Sequence, residues 1–179
     1  MHVLDSTRNR SEPWMRTRLL CVLYLSAMFI CGCRKQSVAT SSMWPTIKPG
    51  ESVTVDYSAY LVAKPKRWDV VVFRGPTPLL RTNHSAWAKR VIALPTETIS
   101  LTTTGILVNG TPLPMPLFLS NVVYCPPERT PQKQDLMTFP YTIPPRHYFV
   151  VGDNWGNSMD SRYYGAVCIT DIFGRVMNK

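Results

Sequence analysis

The chain has 179 residues, 45% of them hydrophobic and 17% charged. That is enough for one compact domain with a real core, too little for two large ones, and too apolar for a disordered chain. Sixteen prolines and nine glycines exclude an architecture of long helices. The formal net charge of +9 has no long Lys/Arg run after residue 35, which argues against a nucleic-acid binder and for a basic surface beside anionic lipid.

Residues 1–18 read as a basic tail. Residues 1–35 hold Arg8, Arg10, Arg16, Arg18, Arg34 and Lys35 against Asp5 and Glu12, a net +4. Residues 19–33, LLCVLYLSAMFICGC, form fifteen consecutive residues without charge. As a helix this segment spans about 22 Å, short of a hydrocarbon core of about 30 Å. Snorkelling of the flanking Arg and Lys closes part of that gap. Three readings stay open. A retained signal anchor, N-in and C-out by the arginine excess on its N-terminal side, is favoured. A lipoprotein signal is the second: Ile30-Cys31-Gly32-Cys33 is similar to a lipobox ending in a modified Cys33. A buried core helix is the third, and the basic flanks disfavour it. Either of the first two puts residues 36–179 outside the cytoplasm, at the membrane surface.

Cys21, Cys31 and Cys33 lie in the apolar segment; Cys125 and Cys168 lie in the body. No Cys-x-x-Cys occurs and the histidines are scattered, so neither a metal site nor a cofactor is implied. A Cys125–Cys168 disulfide is open to a domain outside the cytoplasm, and the sequence does not decide it.

From residue 36 onward the pattern is β. Glu51–Tyr57 alternates polar and apolar residues, as a half-buried strand does. Trp68–Phe73, Arg90–Leu94, Thr98–Thr102, Gly105–Val108 and Tyr148–Val151 read as further strands. Asn109-Gly110 suits a type I′ hairpin turn, since both residues tolerate positive φ. Residues 112–146 hold more than half of the prolines, lack periodicity, and read as a long surface insertion. The fold class predicted is mainly β, antiparallel, with short turn-rich strands.

Three segments carry candidate chemistry. Thr40-Ser41-Ser42-Met43-Trp44-Pro45-Thr46 reads in isolation as a Ser/Thr-rich linker with a proline turn. Trp87–Pro95 contains Lys89 and Arg90, a pair that usually marks a solvated strand end. Strand alternation that turns Lys89 inward makes it a base near neutral pH, because burial disfavours the ammonium. Such a lysine activates a serine without histidine. Gly152–Gly165 reads as a polar loop fixed by side-chain-to-backbone bonds, with Asp160 and Arg162 as a surface pair.

Taken together these segments resemble the bacterial type I signal peptidases. Ser42-Met43-Trp44-Pro45-Thr46 is similar to that family's nucleophile box. Gly50–Val55 and Arg67–Phe73 resemble its next two strand boxes, and Lys89–Pro95 its Lys-Arg box. Gly152-Asp153-Asn154, Asn157-Ser158 and Asp160-Ser161-Arg162 resemble its last box. Two departures stand out: Trp155-Gly156 replaces the usual Arg-Asp of the last box, and Thr96-Glu97 the usual Gly-Asp of the Lys box.

The resemblance implies a signal-peptidase-like antiparallel β domain behind one N-terminal membrane segment, and assigns roles by position. Ser42 attacks the scissile carbonyl. Lys89 takes its proton and returns it to the leaving amine. Ser158 orients the Lys89 amine. The Thr40 hydroxyl joins the Ser42 N–H in an oxyanion hole. Asp153, Asn154, Asp160 and Arg162 brace the loop. Val38, Met43, Ile47, Trp87 and Ala88 line the substrate pockets, where an added β-strand places small side chains. The implied partners are signal peptides of secretory pre-proteins and membrane lipid, with the enzyme a monomer. Two other functions stay in view: a Ser-Lys peptidase dedicated to one substrate such as a conjugative pilin, and a non-catalytic envelope lipoprotein on the same fold. A self-cleaving repressor needs a DNA-binding helix-turn-helix, which 36 short apolar residues do not supply.

Overall fold

The computed structural model describes residues 32–75, 86–124 and 137–177. Most of the apolar segment 19–33, and Cys125, lie outside the described residues. Among those described, no helix is long and apolar enough to cross a membrane.

The described residues form eleven short strands: β1 Cys33–Ser37, β2 Ser52–Asp56, β3 Val70–Arg74, β4 Ala86–Ala93, β5 Thr98–Leu101, β6 Ile106–Val108, β7 Thr111–Pro112, β8 Tyr141–Thr142, β9 His147–Val151, β10 Val167–Cys168 and β11 Ile172–Val176. One sheet has the order β1-β2-β11-β3-β4-β9-β10; the other has the order β7-β6-β5-β8. Every pairing is antiparallel. A single turn of α-helix, α1, spans Ser161–Tyr164.

The alternation read in β2 is obeyed: Val53 and Val55 are buried, Ser52 and Thr54 exposed. β3 is buried from Val70 to Phe73, because both faces of the large sheet are covered. Val70 and Val72 pack with Met43, Ile47, Val53, Val55 and Val176. Val71 and Phe73 pack with Val91, Tyr148, Val150, Val167 and Ile172. A third cluster joins Ile99, Ile106 and Val108 of the small sheet to Phe149, Val151 and Trp155. The turn between β6 and β7 has Asn109 at φ 52° and Gly110 at φ 77°, as a type I′ hairpin requires.

Three expectations need correction. The body begins at Cys33, not at residue 36: Cys33, Arg34 and Lys35 pair with Asp56, Val55 and Thr54 as part of β1. All five β1 side chains are exposed, so the strand is held by backbone bonds and leaves no apolar alternation to read. β4 begins at Ala86, four residues earlier than the apolar run, so Lys89 lies inside a strand and opposite Val71. The proline-rich stretch is not confined to the surface. Leu119, Val122 and Ile143 are buried in the third cluster, and β8 pairs with β5. Prolines interrupt periodicity there without preventing single side chains from reaching the core.

Candidate active site

Ser42 sits in a single 3₁₀ turn, Ser41–Met43, between β1 and β2. Met43 is fully buried in the core under the large sheet and fixes the turn from below. The backbone of Asn154 donates to the Ser42 carbonyl at 3.0 Å. The Asn154 side chain donates to the Ser41 carbonyl at 3.1 Å, and Asn157 Nδ2 donates to the Ser41 hydroxyl at 2.9 Å. The Ser42 turn is therefore clipped at three points to a loop more than a hundred residues away in sequence.

β4 delivers Lys89 to the same place. Its Nζ donates to Ser42 Oγ at 2.6 Å, and the residue is only 4% exposed. The amine also lies 5.6 Å from the centre of the Trp87 ring. Burial pushes the Lys89 pKa down from 10.5 to about 8, against the pull of Asp160 and Asp153 and with the help of Arg162. Desolvation dominates because no carboxylate touches the amine directly. A substantial neutral fraction near pH 8 is the condition for a general base.

The flanking loop is held by two buried ion pairs. Arg90 donates through Nε and Nη2 to the two oxygens of Asp153 at 2.8 and 2.7 Å, and through Nη1 to the Trp68 carbonyl at 2.7 Å. That bond holds Trp68 at φ 76°, a left-handed conformation rare for a bulky residue. Asp160 Oδ1 accepts from Arg162 Nε at 2.8 Å, and Oδ2 accepts from Arg162 Nη2 at 2.9 Å and from the Gly152 N–H at 3.0 Å. A surface Asp160–Arg162 pair is thus corrected to a pair with 0% and 1% exposure. Gly152 is required by close approach: a Cβ there would overlap the Ser158 hydroxyl and the Ser42 carbonyl oxygen.

The other sequence-predicted residues divide. Thr40 Oγ1 lies 3.2 Å from Ser42 Oγ. Ser158 is buried, but its hydroxyl makes no hydrogen bond among the described residues, so the bond expected to Lys89 is not made. Its carbonyl is held instead by Arg162 Nη2 at 3.3 Å. Val38, Met43, Trp87 and Ala88 line a cleft of about 600 Å³ that contains Ser42 and Lys89. Ile47 does not line it; it is 0% exposed, in the core with Met43. Apolar character alone did not distinguish a pocket wall from the packing behind it. Cys168 is a free thiol.

Sequence reasoning missed Arg90, Asn157, Ser41 and Trp155 as parts of the site. Arg90 adjoins Lys89, and a buried strand that holds one inward cation needs a counter-ion for the next; that signal was present. The Asn157–Ser41 contact joins distant segments and left no local trace.

Residues 12–178 match the family model described as signal peptidase, peptidase S26. A signal peptidase I of Leptolyngbya laminosa is 34% identical over 143 residues, covering 78% of this chain and 64% of the relative. A probable signal peptidase I-2 of Synechocystis is 32% identical over 184 residues, covering 97% of this chain and 78% of the relative. A solved signal peptidase I from Enterococcus faecalis aligns with 64% of this chain and 97% of its own, at 31% identity and a TM-score of 0.46. With nearly its whole length matched, the chain belongs to the signal peptidase family, peptidase S26.

Proposed function

We propose that this chain is a membrane-bound serine endopeptidase that removes signal peptides from translocated pre-proteins, with Ser42 as nucleophile and Lys89 as base. The observation that carries the reading is the 2.6 Å contact between a buried, pKa-lowered amine and a serine hydroxyl. Neutral Lys89 takes the Ser42 proton as Oγ attacks the scissile carbonyl. The resulting oxyanion is stabilised by the Ser42 N–H and the Thr40 hydroxyl, which already sits beside Oγ. The ammonium then returns its proton to the leaving amine, and water releases the acyl group by the reverse route. Ser158 adds a buried hydroxyl close to this exchange.

Substrate binding by strand addition is supported by two open edges. β1 is an outer strand of its sheet, and β4 extends from Arg90 back to Ala86 beyond its last pairing with β9. Both flank the cleft, whose walls at Val38, Met43 and Ala88 suit small apolar side chains. Both dyad partners come from one chain, so a monomer suffices. Membrane attachment through the apolar segment ahead of β1, with the catalytic domain outside the cytoplasm, is supported by Trp44, 52% exposed two residues from the nucleophile. Ser42→Ala and Lys89→Ala, assayed on a pre-protein in liposomes, test the reading. Each is expected to lower cleavage by about a thousandfold or more. Wild-type cleavage by either variant overturns it.

A further inference from the structure

Trp155 stands at one of the two positions where this chain's last box departs from the resembled pattern, and it is one of the most enclosed side chains beside the site. It is 3% exposed and packs in the small-sheet core with Leu119 and Val122. Tyr124 meets its ring edge-on, with centroids 4.8 Å apart. The guanidinium carbon of Arg162 lies 5.0 Å from the centre of the same indole. That is cation–π distance, and in a dry setting a guanidinium over an aromatic face is held in a defined place. Arg162 in turn grips both oxygens of Asp160 and the carbonyl of Ser158. A chain of contacts thus runs from the small-sheet core through Trp155 and Arg162 to the charges around the dyad.

We propose that Trp155 is a positioning residue for the peptidase reaction: its indole pins Arg162 against Asp160 and thereby sets the charge that the Lys89 amine experiences. The inference rests on the Ser42–Lys89 reading. The charged groups bearing on Lys89 are Asp160, Asp153 and Arg162, with Arg90 occupying both oxygens of Asp153. Arg162 also lies 5.6 Å from the centre of the Tyr163 ring; if it loses the nearer indole face and drifts, the negative charge of Asp160 is less compensated. The Lys89 ammonium is then favoured, and the base becomes available only at higher pH. A side chain that merely filled space would not move that titration.

The test compares W155L, which keeps apolar bulk and removes the π face, with W155F, which keeps a ring under Arg162. The readout is the pH profile of kcat/KM on a pre-protein, with thermal melting as the check of folding. W155L is expected to lower kcat about tenfold, leave KM within about twofold, and move the acidic limb up by roughly half a pH unit. W155F is expected to keep the wild-type limb. Should W155L lose its cooperative melt, W155M carries the same comparison. A folded W155L or W155M with an unmoved acidic limb overturns the inference. That outcome is distinct from failure of the dyad, which shows as cleavage surviving Ser42→Ala.

Discussion

The loop from Gly152 to Arg162 and the strand residue Lys89 lie against one another, yet they treat buried charge in opposite ways. In the loop and its neighbour Arg90, each cation is matched to a carboxylate: Arg90 with Asp153 and Arg162 with Asp160, all at most 3% exposed. Lys89 is similarly buried, and among the described residues its amine meets the Ser42 hydroxyl and the Trp87 ring but no carboxylate. Pairing keeps the first set ionised and rigid. The missing direct counter-ion lets desolvation win at Lys89 and lowers the pKa of its amine, as the proposed base requires. The same burial gives scaffold in one case and reactivity in the other.

Three substitutions probe that contrast, taken from the largest expected effect. Asp153→Asn strips Arg90 of its two-point partner and leaves a guanidinium buried beside a neutral amide. A loss of about 3–5 kcal/mol in denaturant unfolding is expected; a loss as small as a surface pair gives would make the loop's charges ordinary. Lys89→Met removes the unpaired charge instead and is expected to stabilise while abolishing cleavage. The folded pKa of about 8 lies below the unfolded 10.5, so the unfolded chain binds more protons between those values. Wild-type stability therefore rises with pH through that window, and the cost of the buried ammonium is fully felt below about pH 8. The gain from Lys89→Met, on the order of 3 kcal/mol at most, is largest there and fades as pH approaches 10.5. Asn157→Ala removes one clip on the nucleophile turn. It is expected to cost about 1 kcal/mol of stability and to lower kcat severalfold with KM little changed.

How much of this was legible in the chain follows the same division. Ser42 and Lys89 stood in compact local motifs, and β2 and the Asn109-Gly110 turn in local periodicity and turn chemistry. Strand β1 was not legible, because an edge strand with five exposed side chains has no apolar alternation and owes its place largely to backbone pairing. Ile47 looked like a pocket wall because a core residue and a cleft residue share the same apolar character. Leu119 and Val122 were hidden by the prolines around them. The resemblance assigns the Ser158 hydroxyl to Lys89, whereas in the structure it lies close to Gly152 and makes no hydrogen bond among the described residues. Long-range polar contacts such as Asn157 to Ser41 are fixed only once the two sheets are assembled.

In the proposed reaction Lys89 acts as a base because it is buried without a carboxylate in direct contact among the described residues. Titrating its side-chain NMR signal in the whole chain, held in detergent, measures that most directly. A midpoint near 8 is expected. A midpoint at the ordinary 10.5 would contradict it, since Lys89 would then hold its proton throughout the range in which Ser42 has to lose one.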